Sequence, residues 1–194
     1  MSFAAERPTV DNVGMWRMLI LVAAGFTLLA ADDRCGCDPA IPETLKIRAC
    51  SLTAEAGKQP ESMEVFFLKD ANPRKANRTL ALPRRVVAGE MHELRHLSPS
   101  ERNKLWREAI AKAKELWGDN WGVAYNGTRV RTQCHLHLHI GKLLRGVDSG
   151  TAIYVRRLED IPVPTDGTGL WIHPSGNRLK VHLNEQICET VLLR

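Results

Sequence analysis

No apolar run in this sequence reaches the roughly 20 residues that a membrane-spanning helix needs. The longest, Met18–Ala31 (MLILVAAGFTLLAA), stops at fourteen. The chain also lacks a zinc-finger ligand pattern, a nucleotide-loop glycine pattern and any interleaving of aromatic with basic residues. A nucleic-acid partner is therefore not expected. The excess of one sign of charge is small: the formal net charge of +5 favours an anionic substrate or membrane headgroups over nucleic acid. The 194 residues suffice for one domain with a real core and are too few for two comfortable ones.

The apolar run is preceded by Arg17 and followed by Asp32, Asp33 and Arg34, with the small residues Ala30 and Ala31 at its end. That pattern fits the core of a secretory signal. Residues 1–31 are expected to be a signal peptide or an uncleaved N-terminal anchor, with a buried core helix as the alternative. The arm before the run is long and mixed in charge, with Glu6, Arg7 and Asp11. Translation from Met15 gives a more compact signal, so both Met1 and Met15 stand as start sites. The second region, residues 32–194, carries everything else.

All five cysteines, Cys35, Cys37, Cys50, Cys134 and Cys188, follow the apolar run. In an oxidising compartment such residues tend to pair. Five allow two bridges with one left over. Cys35 and Cys37 are too close to pair easily with each other, so one of them is expected to bridge to a distant partner. Cys188 is the expected staple for the N-terminal arm. A zinc site built on CGC and histidines lacks the usual second ligand pair.

Residues 32–62, rich in Asp, Pro, Glu and Gly, read as an irregular arm. Met63–Leu68 and Thr79–Leu82 read as strands, the second closed by Pro83. Ser98, Pro99 and Glu101 carry the cap, first-turn and capping-box signals of a helix start. Leu105, Trp106, Ala109, Ile110, Ala113, Leu116 and Trp117 then recur at helical spacing as a core stripe, and Gly118 ends the helix. Thr151–Val155 predicts another strand. Gly169–His173 and Leu179–Leu183 predict a hairpin turned at Pro174–Asn177. Mostly antiparallel strands with one or two helices make an α+β domain.

Three of the seven histidines fall in one run, Arg131–Ile140, RTQCHLHLHI. In a strand, alternation puts His135, His137 and His139 on one face and Cys134, Leu136, Leu138 and Ile140 on the other. Three buried structural histidines would each need a partner for a ring N–H. A metal-binding strand would have no Asp, Glu or Cys on the same face to complete it. Nucleophilic catalysis suits the pattern better. A neutral imidazole attacks phosphorus well once its other nitrogen donates to a fixed acceptor. The middle histidine has a neighbour on either side to orient it. Asn126, Arg131, Thr132 and Gln133, just upstream, could supply donors to phosphoryl oxygens, which matter most as charge builds in the transition state. His92, His96, His173 and His182 read as ordinary surface or core residues.

HLHLHI fits the His-x-His-x-His pattern and resembles the histidine triad superfamily, more specifically its bacterial CDP-diacylglycerol pyrophosphatase branch. YNGTRVRTQCHLHLHI, VFFLKDANPRKANRTLALP and NEQICETVLLR resemble that branch's run into the triad, first hairpin and C-terminus, over roughly residues 34–194. Soluble triad proteins often carry a histidine soon after the proline that ends the second strand. Here Pro83 is followed by Arg84 and Arg85. Residues 141–168 look shorter than is usual for the branch.

The resemblance implies a histidine-triad-like fold and hydrolysis of CDP-diacylglycerol to CMP and phosphatidate through a nucleotidyl-histidine intermediate. It makes His137 the nucleophile, with His139 as first choice to orient it and His135 in support. Asn126 and Gln133 match polar positions on the phosphate side. Arg131 either clamps the pyrophosphate or solvates its strand edge. No cofactor and no metal are expected. The partner implied is a CDP-linked phospholipid, and a homodimer is consistent with the superfamily. The location implied is the bacterial inner membrane with the catalytic domain on the periplasmic side, or an exported soluble form. Two other functions suit the same residues: a triad hydrolase or transferase acting on a soluble nucleotide, and a non-enzymatic periplasmic metal- or heme-binding protein.

Overall fold

The computed structural model describes residues 35–148 and 150–194. The expected signal or anchor over residues 1–31 lies outside them. Among the described residues, no helix is long and apolar enough to cross a membrane.

The fold is α+β, with one seven-stranded antiparallel sheet and one main helix. The strands are β1 (Val65–Lys69), β2 (Thr79–Pro83), β3 (Trp121–Tyr125), β4 (Leu138–Lys142), β5 (Ala152–Val155), β6 (Gly169–Ser175) and β7 (Arg178–Glu185). Their order in the sheet is β1-β2-β4-β3-β6-β7-β5. A short helix, α1 (Ser51–Gly57), precedes the strands, and the main helix, α2 (Pro99–Trp117), lies between β2 and β3.

Alternation along the strands sorts the side chains onto two faces. Ala81, Val123, Leu138, Ile140, Ile172 and Val181 point to one face and pack with Leu105, Trp106, Ala109 and Ala113 of α2. The opposite face is covered in two places. Phe66, Leu80 and Leu82 pack with Ala56 of α1, and Ala124 and Trp171 pack with Cys188, Val191 and Leu192 near the C-terminus.

Helix α2 starts as its sequence predicts. The Ser98 hydroxyl accepts from the Glu101 N–H, and the Glu101 carboxylate accepts from the Ser98 N–H, so two otherwise orphaned donors are satisfied. Gly118 ends the helix at φ 55°, a left-handed conformation that glycine adopts without steric cost. The buried stripe is shorter than its apolar spacing implies. It ends at Ala113; in the last turn Leu116 is exposed and Trp117 only partly covered.

Residues 32–62 are not wholly irregular. Ser51–Gly57 forms a helix that buries Thr53 and Ala56, three residues apart and so on one side. The Cys37–Cys50 disulfide holds the chain at its start. The second bridge joins Cys35 to Cys134. Cys188 therefore does not staple the N-terminal arm. It is a buried free thiol, and burial raises its pKa above the ordinary cysteine range.

The histidine run is also paired differently from the predicted strand. Strand β4 begins only at Leu138, so His139 alone of the three lies in the sheet. Before it, the Cys134 N–H donates to Ala49 O (2.8 Å) and the His92 N–H donates to Cys134 O (2.9 Å). These bonds, with the Cys35–Cys134 bridge, draw the segment out of the sheet ladder, and the chain bends at Cys134 and His135. The alternation persists, since Leu136, Leu138 and Ile140 all reach the α2 core.

Candidate active site

The three imidazoles are buried but do not share one environment. The His137 Nδ1–H donates to the main-chain carbonyl of His135 at 2.8 Å. That bond fixes the tautomer and leaves the Nε2 lone pair without a hydrogen-bond partner among the described residues. His139 lies edge-on to it, with ring centroids 4.9 Å apart. His135 turns elsewhere: its Nε2–H donates to Pro83 O at 2.7 Å, and its ring meets His92 edge-on at 5.1 Å. The orienting contact for His137 thus comes from the backbone of His135 rather than from either flanking ring.

His139 is held by groups distant in sequence. The Asn126 side-chain amide approaches its Nε2 at 3.4 Å, and Asn126 Oδ1 accepts from the Glu189 N–H at 3.0 Å. His139 Nδ1 faces the Glu189 carboxylate at 3.4 Å and Asp70 at 4.0 Å. Glu189 also pairs with Lys75 at 2.7 Å and with the buried guanidinium of Arg78. Arg78 donates further to Leu192 O (2.7 Å) and Leu193 O (3.1 Å), tying the C-terminal segment to β2.

A glycine pair seats that segment. Gly122 and Gly141 are cross-strand partners. A Cβ on Gly122 would lie 2.6 Å from Leu192 Cδ2, and one on Gly141 would lie 3.1 Å from Leu192 Cβ. Without side chains here, Leu192 can close on the sheet and bring Glu189 to His139.

A cleft of about 880 Å³ opens over His137 and His139. It lies between α1, the loop joining β1 to β2, and the pair Thr132–Gln133. Its cationic lining residues are Arg48, Lys69, Arg74 and Lys75; Glu55 and Asp70 are the acids. The loop is shaped locally, with Asn72 Oδ1 accepting from the Arg74 N–H in a turn that Pro73 starts.

The polar residues expected at the site divide. Thr132 and Gln133 line the cleft. Gln133 accepts from the Ser51 hydroxyl at 2.9 Å and donates to Arg48 O at 2.9 Å, so it also anchors α1. Asn126 lies behind His139. Arg131 is buried away from the cleft lining. One of its nitrogens donates to His92 O (2.8 Å), and the guanidinium lies over the Tyr125 ring at 5.3 Å.

Burial depresses the basicity of the whole cluster. His137 is pushed well below the ordinary histidine value by desolvation and then by His139. His139 falls to about 3, through desolvation and the nearby Lys75 and Arg78. His135 falls to about 4 through desolvation, against the opposing effect of its bond to Pro83. At neutral pH His137 is thus a neutral imidazole with one nitrogen bonded and the other carrying a lone pair, the state of a nitrogen nucleophile.

Glu189, Asp70, Lys75 and Arg78 did not stand out in the sequence. Lys75 and Arg78 sit in a turn-rich link between the first two strands, where nothing local marks them out. The glycine pair was the available signal for Glu189, and it becomes visible only once β3 and β4 are registered. Of the remaining histidines, read as surface or core residues, three lie in the core. His92, His173 and His182 are all buried, and His96 accepts from the Glu93 N–H to close a capping box. Compared with known proteins, the chain matches no family model and none of the curated proteins.

Proposed function

We propose that this protein is a histidine-triad hydrolase that cleaves CDP-diacylglycerol to CMP and phosphatidate at a bacterial inner membrane, on the periplasmic side. The observation that carries the reading is the His137 Nδ1–H bond to His135 O, which leaves Nε2 bare on a cleft lined by four cationic side chains. In the first half-reaction His137 Nε2 attacks the cytidine-side phosphorus in line. The bond from that phosphorus to the bridging oxygen breaks, and phosphatidate leaves with the electron pair. In the second half, water attacks the phosphorus of the cytidylyl-histidine, the P–N bond breaks, and CMP leaves with neutral His137 restored. Lys75, Arg74 and Arg48 are the groups available to neutralise the pyrophosphate. Within this reading Asn126 and Glu189 position His139 beside the nucleophile.

The metal-binding alternative for the triad has less support. Among the described residues, no potential ligand cluster contains two of His135, His137 and His139. The cluster that contains His139, with Asp70 and Glu189, has its Glu189 carboxylate already paired with Lys75 and Arg78.

The test is mass spectrometry of protein quenched rapidly after mixing with CDP-diacylglycerol. A cytidylyl adduct mapped to His137, with its loss and the loss of turnover in a folded His137→Ala variant, is the expected result. Near-normal turnover by that folded variant would overturn covalent catalysis at His137. Preferential turnover of water-soluble dinucleoside polyphosphates would move the substrate to a soluble nucleotide.

A further inference from the structure

On the sheet face that carries His139, a row of cross-strand partners runs His139, Ala124, Trp171, His182. Three strand spacings separate its ends, so His182 lies roughly 14 Å from His139 along the sheet. His173, two residues beyond Trp171, shares that face. The indole of Trp171 stacks on the His182 ring at 3.6 Å and 4°. Both histidines are almost wholly buried, and Asp148 reaches them from the loop after β4 with about half its side chain exposed.

The three polar atoms form a nearly equilateral triangle. Asp148 Oδ1 lies 3.3 Å from His173 Nε2 and 3.3 Å from His182 Nε2, and the two nitrogens are 3.4 Å apart. These separations are longer than ordinary N–H···O hydrogen bonds, which run about 2.7–3.2 Å. They match the edge of a tetrahedron around an ion with ligands at about 2.0–2.1 Å, which is roughly 3.3–3.4 Å. The tautomer of His173 points the same way. Its Nδ1–H donates to Pro174 O at 3.0 Å, so its Nε2 presents a lone pair to the centre. A hydrogen bond can serve one edge of such a triangle, whereas a cation at its centre serves all three ligands.

We propose that Asp148, His173 and His182 form a site for a divalent transition-metal ion of the zinc class, with three protein ligands and the fourth position open to solvent. Two imidazoles and a carboxylate are a suitable donor set for that class. The Trp171 stack fixes the His182 ring, whose Nδ1 has no hydrogen-bond partner. The ion joins the loop after β4 to the β6–β7 hairpin and is separate from the His137 cleft. Lys180 is its competitor, since the ammonium lies 2.6 Å from the same Asp148 oxygen. An incoming ion must displace it.

The experiment is a Co²⁺ titration of the full oxidised chain after chelator treatment, followed by Zn²⁺ displacement. Oxidised protein keeps Cys37, Cys50 and Cys134 out of the measurement. One Co²⁺ per chain, with the visible bands of a four-coordinate site, is expected. Asp148→Asn should abolish those bands; because Asp148 is half exposed, this variant keeps its fold by circular dichroism. His173→Phe should abolish them too, and His137→Asn should leave them unchanged. Lys180→Gln should tighten binding by about tenfold, the scale of an outer-shell change. Failure of Co²⁺ and Zn²⁺ to bind stoichiometrically, or a titration that survives Asp148→Asn, would overturn the site. So would an affinity that does not rise in Lys180→Gln, or bands lost in a folded His137→Asn.

Discussion

Mild acid should unfold this protein well above the pH at which ordinary carboxylates titrate. The perturbation is a change from about pH 7.5 to about pH 5.0, across the usual histidine range. His92, His135 and His139 are held at about 2, about 4 and about 3, each chiefly by burial, against an ordinary value of 6.5. In every case the folded value lies below the unfolded one, so the unfolded chain binds the proton first. The stability these groups carry is therefore complete above pH 6.5 and drains as pH falls from 6.5 toward the folded values. At pH 5.0 each group has lost about 1.5 pH units of that window, or about 2 kcal/mol, and the three together about 6 kcal/mol. Domains of this size are stable by about 5–15 kcal/mol, so the loss is decisive. With a urea slope of about 2 kcal/mol per M, the midpoint should fall by about 3 M. The assay is urea denaturation followed by tryptophan fluorescence at both pH values on chelator-treated protein. Replacing His135 by Asn should remove about 2 kcal/mol of the pH dependence, its own share beside those of the other buried imidazoles. A midpoint that shifts by less than about 1 M between the two pH values would refute neutral burial of these rings.

Four other perturbations test the support around the cleft and the pairing of the cysteines. Glu189→Gln leaves the buried Arg78 guanidinium without its anion and should cost about 3–5 kcal/mol, read as a lowered denaturant midpoint; an unchanged midpoint would contradict the Glu189–Arg78 pairing. Gly122→Ala puts a methyl group 2.6 Å from Leu192 Cδ2 and should cost about 1–3 kcal/mol by overpacking. Adding Leu192→Ala should recover part of that loss in a double-mutant cycle, whereas additive losses would mean the two side chains do not meet. Removing the Cys35–Cys134 bridge by paired Ser substitution frees a loop of sequence separation 99 and should cost about 4–5 kcal/mol. Cys188→Ser should leave the number of disulfides unchanged by mass spectrometry, since Cys188 is in neither bridge.

What could be read ahead of the structure was what neighbouring residues decide among themselves. Helix α2 announces its start through Ser98 and Glu101, three residues apart, and its end through Gly118. The β6–β7 hairpin is written in two short runs with Gly176 and Asn177 between them. Alternation in the histidine run correctly separates the leucines and Ile140 from the imidazoles. It cannot say where strand pairing begins, because the partners of Cys134 are the main chains of Ala49 and His92. The cysteines fail for the same reason. Cys188 looks like a staple by position in the chain, but it lies under Gly169 against Trp171, while Cys134 lies beside Cys35.

The chemistry of the cleft depends on that non-local part. His137 draws its orientation from a carbonyl two residues away, so the tautomer of that ring is decided within the histidine run itself. Its neutrality and its electrostatic setting are different matters. They come from burial and from the neighbouring His139, which is set in turn by Lys75, Arg78 and Glu189, brought together from a hairpin loop and a C-terminal segment more than a hundred residues apart. The link between those two is Leu192 on the Gly122–Gly141 pair, which makes two glycines with no chemistry of their own part of what positions His139. A β-branched residue at either glycine would leave the HLHLH run intact and move the carboxylate away from it, separating the part of the site that the motif encodes from the part that the fold supplies.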